Sequence, residues 1–134
     1  MPVRIVGIDH VVLLVRDMEA ALRFYRDVLG CAVERTVQEI GLVQLRAGAS
    51  LIDLVPARPA AGSDRNLGHL ALKLAEFDEV RLREHLLGHG VVPGEVALRY
   101  GAEGEGPSMY VADPDGNLVE LKGPADHGRA CPDA

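Results

Sequence analysis

The pattern of elements in this chain of 134 residues occurs twice, and that repeat limits the architectures open to it more than any other feature. "IDHVVLLV", Ile8 to Val15, is rich in β-branched residues and reads as a strand, and "GHLALKL", Gly68 to Leu74, reads as a second strand with a histidine near its start. A helix follows each. Behind the N-cap candidate Asp17, apolar residues recur at Ala21, Leu22, Tyr25, Val28 and Leu29, and Gly30 stands where a left-handed C-terminal cap falls. "FDEVRLREHLLGHG" predicts the second helix, closing at Gly90. Three strand candidates come next in each copy: "CAVERTV", "GLVQL" and "SLIDLV", then "EVALR", "PSMYVAD" and "NLVELKG". The chain thus reads as βαβββ twice, with His10 and His69 59 residues apart and Gly30 and Gly90 60 apart.

The expected boundaries are a first module over 5–55, a connector over 56–67 containing "PARPAAGSDRN", a second module over 68–123 and a tail over 124–134, all in one domain. Two copies are too few for a solenoid, but they can pair their sheets about a pseudo-twofold axis. The expected fold is therefore α+β: two βαβββ modules forming a half-closed, cup-shaped mixed sheet with helices outside.

Composition narrows the function classes. With 48% hydrophobic but only 4% aromatic residues, the core is expected to be Leu, Val and Ala. A formal charge of −6 offers no basic stripe for a phosphate backbone, which argues against nucleic acid as partner. The longest apolar run, Val11 to Val15, falls far below the roughly 20 residues of a membrane span. Cys31, in a strand candidate, and Cys131, in the tail, show neither a disulfide framework nor a thiolate metal site. With no cationic leader ahead of an apolar segment, the chain is expected to be soluble and cytoplasmic, with a small molecule as partner.

The last strands of the two copies align, "SLIDL" with "NLVEL", which sets Asp53 opposite Glu120. The interval from histidine to acid grows from 43 to 51 residues, and the surplus is assigned to "RYGAEGEGP", a long glycine-rich connection within which "GAEGEG", Gly101 to Gly106, reads either as a flap or as a plain acidic loop. Strand alternation puts His10 on one face with Val12 and Leu14, His69 with Ala71 and Lys73, and Glu120 with Leu118 and Lys122. Turned into the cup, His10, His69 and Glu120 form a facial set of three metal ligands with open coordination positions. Such a set suits a divalent Zn, Ni, Mn, Co or Fe(II) ion. Ser108 and Tyr110 share a face of the seventh strand as candidate substrate contacts, with Met109 and Val111 behind them. Arg99, Lys73 and Lys122 are candidate anion partners, expected to be exposed as strand-end cations. His85 and His89 read as a solvated helix end, His127 belongs to the tail, and "DPDGN" is a turn joining the last two strands.

The doubled pattern, with "IDHVVLLVRDMEAALRFYRDVLG", "GHLALKL" and "YVADPDGNLVELKGP", resembles the vicinal oxygen chelate superfamily, which includes glyoxalase I, fosfomycin-resistance transferases, extradiol dioxygenases and bleomycin-binding proteins. The resemblance covers residues 5 to 123 and implies metal ligands at His10, His69 and Glu120. Asp53 falls where glyoxalase I-like members place a fourth ligand, usually a glutamate. Its shorter side chain leaves it open as a ligand, a contact through water, a base, or a plain edge-strand acid. The resemblance implies a homodimer and a metal-dependent enzyme of the glyoxalase-like type, using lyase or isomerase chemistry through a metal-stabilised enolate or oxyanion, with Glu120 or Asp53 as the catalytic carboxylate. A thiol transferase, an extradiol dioxygenase and a non-catalytic drug-binding protein are the alternatives it leaves.

Overall fold

The computed structural model describes residue 4, residues 8–57, residue 67 and residues 69–125. His127, Cys131 and most of the connector lie outside the described residues. The chain divides into two compact units, 1–64 and 65–134.

In the first unit, β1 (His10–Val15) leads through Asp17, whose carboxylate accepts from the Ala20 N–H at 3.1 Å, into α1 (Met18–Leu22). The helix continues with π geometry over Arg23–Val28, where Leu29 N–H reaches back five residues to the Phe24 carbonyl. Gly30, at φ +79°, ends it. β2 (Val33–Val37), β3 (Leu42–Ala47) and β4 (Ser50–Pro56) complete a four-stranded sheet in the order β1-β4-β3-β2, in which only the β1–β4 pair is parallel. One face of this sheet is apolar. Leu13 and Val15 of β1, Ile52 and Leu54 of β4 and Leu45 of β3 are buried, together with Ala21, Phe24, Tyr25 and Val28 of the helix. The opposite face of β1 carries His10, Val12 and Leu14, all exposed.

The second unit repeats this plan: β5 (Leu70–Lys73), α2 (Glu79–Gly88), β6 (Ala97–Gly101), β7 (Gly104–Ala112) and β8 (Leu118–Lys122). Its sheet order is β5-β8-β7-β6, with β5 parallel to β8. Asp78 caps α2 by accepting from the Arg81 N–H, and Gly90, at φ +76°, follows its end. Met109, Val111, Val119, Leu121 and Leu86 form the buried apolar set. The α+β class and the doubled βαβββ arrangement are as the repeat dictates.

Three local expectations are corrected. Cys31 lies ahead of β2 rather than within it, and it is buried. The "RYGAEGEGP" stretch is not a long connection but a β-hairpin, with Gly101 opposite Gly104 and Ala102 and Glu103 at its tip. Its glycines serve close packing here, since a Cβ on Gly106 would fall 2.4 Å from the Pro124 carbonyl oxygen. Lys122 is buried rather than exposed, because Gly101 and Gly106 leave room for its end. Its ammonium donates to the carbonyls of Gly104 at 3.2 Å and Gly123 at 3.3 Å.

Candidate functional site

Register fixes which polar side chains share a face. In the second module Ala71 pairs with Glu120, and Tyr110 pairs with Glu120 from the other side. His69 stands just before β5, two residues ahead of Ala71 and on the same side by alternation. Its Nε2 lies 3.3 Å from Glu120 Oε1, with Glu120 buried and the imidazole half exposed. The Tyr110 ring meets His69 edge-on at 5.4 Å, and the Arg99 guanidinium covers the Tyr110 ring at 4.7 Å. Arg99 Nη1 also donates to the Ser108 carbonyl and hydroxyl oxygens, each at 2.8 Å. Burial, then the charge of Glu120 and a hydrogen bond to it, push the Tyr110 phenol above its ordinary range, and Arg99 pulls the other way.

The aim of Glu120 depends on the turn before it. Asp113 Oδ1 accepts from the N–H groups of Asp115 at 2.9 Å and Asn117 at 2.7 Å, Asp113 Oδ2 accepts from Asn117 Nδ2 at 2.9 Å, and Gly116 takes φ +81°. This closes β7 onto β8 in the register that sets Glu120 beside Tyr110.

The first module carries the corresponding row. Val12 pairs with Asp53 and Gln44 with Asp53, so His10, two residues before Val12, stands to Asp53 as His69 stands to Glu120. The contact differs. Asp53 lacks the methylene that lets Glu120 reach its histidine, and its Oδ2 accepts instead from Gln44 Nε2 at 3.1 Å. His10 Nδ1 turns to Asp9 Oδ2 at 2.7 Å. That hydrogen bond raises the His10 pKa, burial opposes it, and the charges of Asp53 and Asp9 add to it. Asp53 Oδ1 is buried and accepts from no donor among the described residues.

The predicted site residues therefore fall into two groups, His10 and Asp53 in the first module and His69, Glu120, Ser108 and Tyr110 in the second. Among the described residues, no three histidine, cysteine or acidic side chains gather around one point. The donor chemistry nevertheless fits a divalent ion: an imidazole beside a buried carboxylate in one module, and an imidazole with an unpartnered buried carboxylate oxygen in the other. Ser108 is fully buried, with its hydroxyl held by Arg99, and Tyr110 is half-buried. Lys73 pairs with Glu103 at 3.4 Å, and the His85 and His89 rings lie 4.8 Å apart at the end of α2. Among the described residues no helix is long and apolar enough to cross a membrane.

Sequence reading passed over Gln44, Arg35 and Asp9. The first was within reach, since the short turn at Gly48 and Ala49 joins β3 to β4 and fixes Gln44 opposite Asp53.

A sequence profile of the Glyoxalase/Bleomycin resistance protein/Dioxygenase superfamily matches residues 7–121. The chain belongs to this superfamily. Members of the superfamily generally act on small molecules, use divalent metals and are often dimers. The chain is 32% identical over 121 residues to the virulence protein STM3117 of Salmonella typhimurium, spanning 85% of this chain and 81% of that protein. The crystal structure of that protein superimposes with a TM-score of 0.71 at 31% identity, over 92% of this chain and 100% of that one. An integron cassette protein of V. cholerae gives a TM-score of 0.72 at 28% identity, over 90% and 97% of the two chains. Metapyrocatechase 2 of Cupriavidus necator is 33% identical over 118 residues, which make up 87% of this chain but 33% of that enzyme.

Proposed function

We propose that this superfamily member is a metal-dependent enzyme of the glyoxalase-like type, in which His10, His69 and Glu120 hold a divalent ion and a small oxygen-bearing substrate binds directly to it. The observation that carries the reading is the His69–Glu120 contact. A carboxylate only 6% exposed faces an imidazole nitrogen at 3.3 Å, and the first module repeats the strand geometry, with Val12 opposite Asp53 and His10 two residues before Val12. When bound, the ion supplies Lewis acidity to a substrate carbonyl or oxyanion, and a redox metal would also admit dioxygen chemistry.

The chain's own residues orient and move protons. Tyr110 stands opposite Glu120 across the β7–β8 pair, and the Arg99 guanidinium packs over the Tyr110 ring. Tyr110, half-buried, is the substrate contact, while Ser108 acts through Arg99 by anchoring Nη1 and leaving the rest of the guanidinium for a substrate oxygen. The carboxylate of Glu120 is the group that accepts a substrate proton. The active species is a homodimer, which sedimentation velocity checks.

The test is a turnover screen of the ion-loaded protein against thiol adducts of oxoaldehydes, with Glu120→Gln as control. Turnover lost in Glu120→Gln supports the reading. The similarity to metapyrocatechase 2 supports a second reading, in which the same donors serve Fe(II) or Mn(II) in a dioxygenase. Oxygen uptake with catechols, in place of adduct turnover, would select it.

A further inference from the structure

Asp53 is nearly fully buried, yet among the described residues its oxygens are used unequally: Oδ2 accepts from Gln44 Nε2 at 3.1 Å, and Oδ1 accepts from no donor. A buried carboxylate oxygen left without a donor is costly in a folded chain and calls for a ligand. The neighbouring strands show how it is held in that state. Arg35 of β2 pairs with Gln44 of β3, which pairs with Asp53 of β4. Arg35 Nε donates to Gln44 Oε1 at 2.9 Å. Because the guanidinium has only donors and the carboxylate only acceptors, these two neighbours dictate the orientation of the Gln44 amide. Its NH2 must face Asp53, since the flipped amide would set a carbonyl against a carboxylate. A row of donors thus runs across three strands in one direction and ends at Asp53. The strand beyond is β1, where Val12 pairs with Asp53 and where His10 feels the Asp53 charge.

We infer that Gln44, locked by Arg35, is a positioning residue that fixes Asp53 Oδ2 and so keeps Oδ1 available as an oxygen ligand to the divalent ion. The inference rests on the metal-binding reading above. It makes the short side chain of Asp53 workable, because a carboxylate that cannot rotate presents one oxygen in one direction. Outer partners of this kind typically change metal affinity by about ten- to a hundredfold when removed.

The experiment is Co(II) titration of the metal-free full chain, followed by calorimetry and by visible absorption, for wild type, Gln44→Leu, Asp53→Ala and the double variant. Gln44→Leu is expected to weaken Co(II) binding by about tenfold or more. It should shift the visible bands in the same sense as Asp53→Ala, and add nothing on top of Asp53→Ala. Arg35→Ala, at an exposed position where folding is not at stake, should give a smaller loss in the same direction. Wild-type affinity in Gln44→Leu and Arg35→Ala, or additive losses in the double variant, would overturn the role of Gln44 while leaving metal binding intact. No Co(II) binding by the wild type would overturn the metal reading and this inference with it.

Discussion

His69 Nε2 lies 3.3 Å from Glu120 Oε1, while in the first module His10 turns away from the equivalent carboxylate to Asp9. The difference follows from side-chain length. Glu120 is one methylene longer than Asp53, reaches its histidine from the same register position, and lies opposite Tyr110 in the sheet. Asp53, shorter, is tied back by Gln44. One module therefore presents a formed imidazole–carboxylate pair, and the other an imidazole and a carboxylate held by separate partners, Asp9 and Gln44.

On the proposed metal-binding reading His69→Ala removes a ligand rather than a support, so divalent-ion affinity should fall by more than the about hundredfold reached by losing an outer partner. The substitution also takes the imidazole from the buried Glu120 carboxylate, so the metal-free protein should lose about 1–3 kcal/mol. Calorimetric metal titration beside a thermal melt checks both, and unchanged affinity would remove His69 from the ligand set.

Asp9→Asn should lower the titration midpoint of His10, because the hydrogen bond to Asp9 is the largest cause raising it above the ordinary 6.5. A raised value in the folded state means that the stabilisation is present below the unfolded value and is lost as pH rises through the folded one. Wild type should therefore exceed Asp9→Asn in stability on the acid side and match it at alkaline pH. NMR titration of the His10 ring protons in metal-free protein measures the midpoint, and an unshifted value in Asp9→Asn would contradict the assignment.

Asp113→Ala takes away three hydrogen bonds to one buried carboxylate and leaves the Asp115 and Asn117 N–H groups without their acceptor. A loss of about 2–3 kcal/mol is expected from denaturant unfolding. Because this turn sets the β7–β8 register, metal affinity should weaken as well, although Asp113 is no ligand. Wild-type affinity in this variant would separate the turn from the aim of Glu120.

Gly106→Ala should destabilise the protein by about 1–3 kcal/mol, as overpacking does. Its Cβ would come within 2.9 Å of Lys122 Nζ as well as against the Pro124 carbonyl, and backbone cannot yield cheaply. Thermal unfolding measures this, and a neutral result would mean that the hairpin opens readily there.

Much of this arrangement is legible in the sequence because strand side chains alternate with a period of two. His10, His69, Glu120 and Tyr110 each fall on the face that counting assigns to them, and Gly30 and Gly90 mark the helix ends. The Gln44–Asp53 pair was equally open to counting from the turn at Gly48. The hairpin at Gly101–Gly106 was not. Glycine in a sequence signals conformational freedom and close packing alike, and here the Pro124 backbone and the Lys122 side chain decide between them. Burial of Lys122 depends on those same absent side chains. The π turn in the first helix leaves the apolar spacing of the sequence unchanged, and it shows only in the carbonyl that Leu29 reaches.

The most direct test of the central claim is the divalent-ion content per chain, by elemental analysis of untagged protein purified without added metal, repeated after chelation and reloading with Zn, Ni, Mn, Co and Fe(II). The account predicts near-stoichiometric binding of at least one of these ions, abolished in His10→Ala, His69→Ala and Glu120→Gln alike. Failure of every ion to bind tightly, or binding that survives all three substitutions, would contradict it.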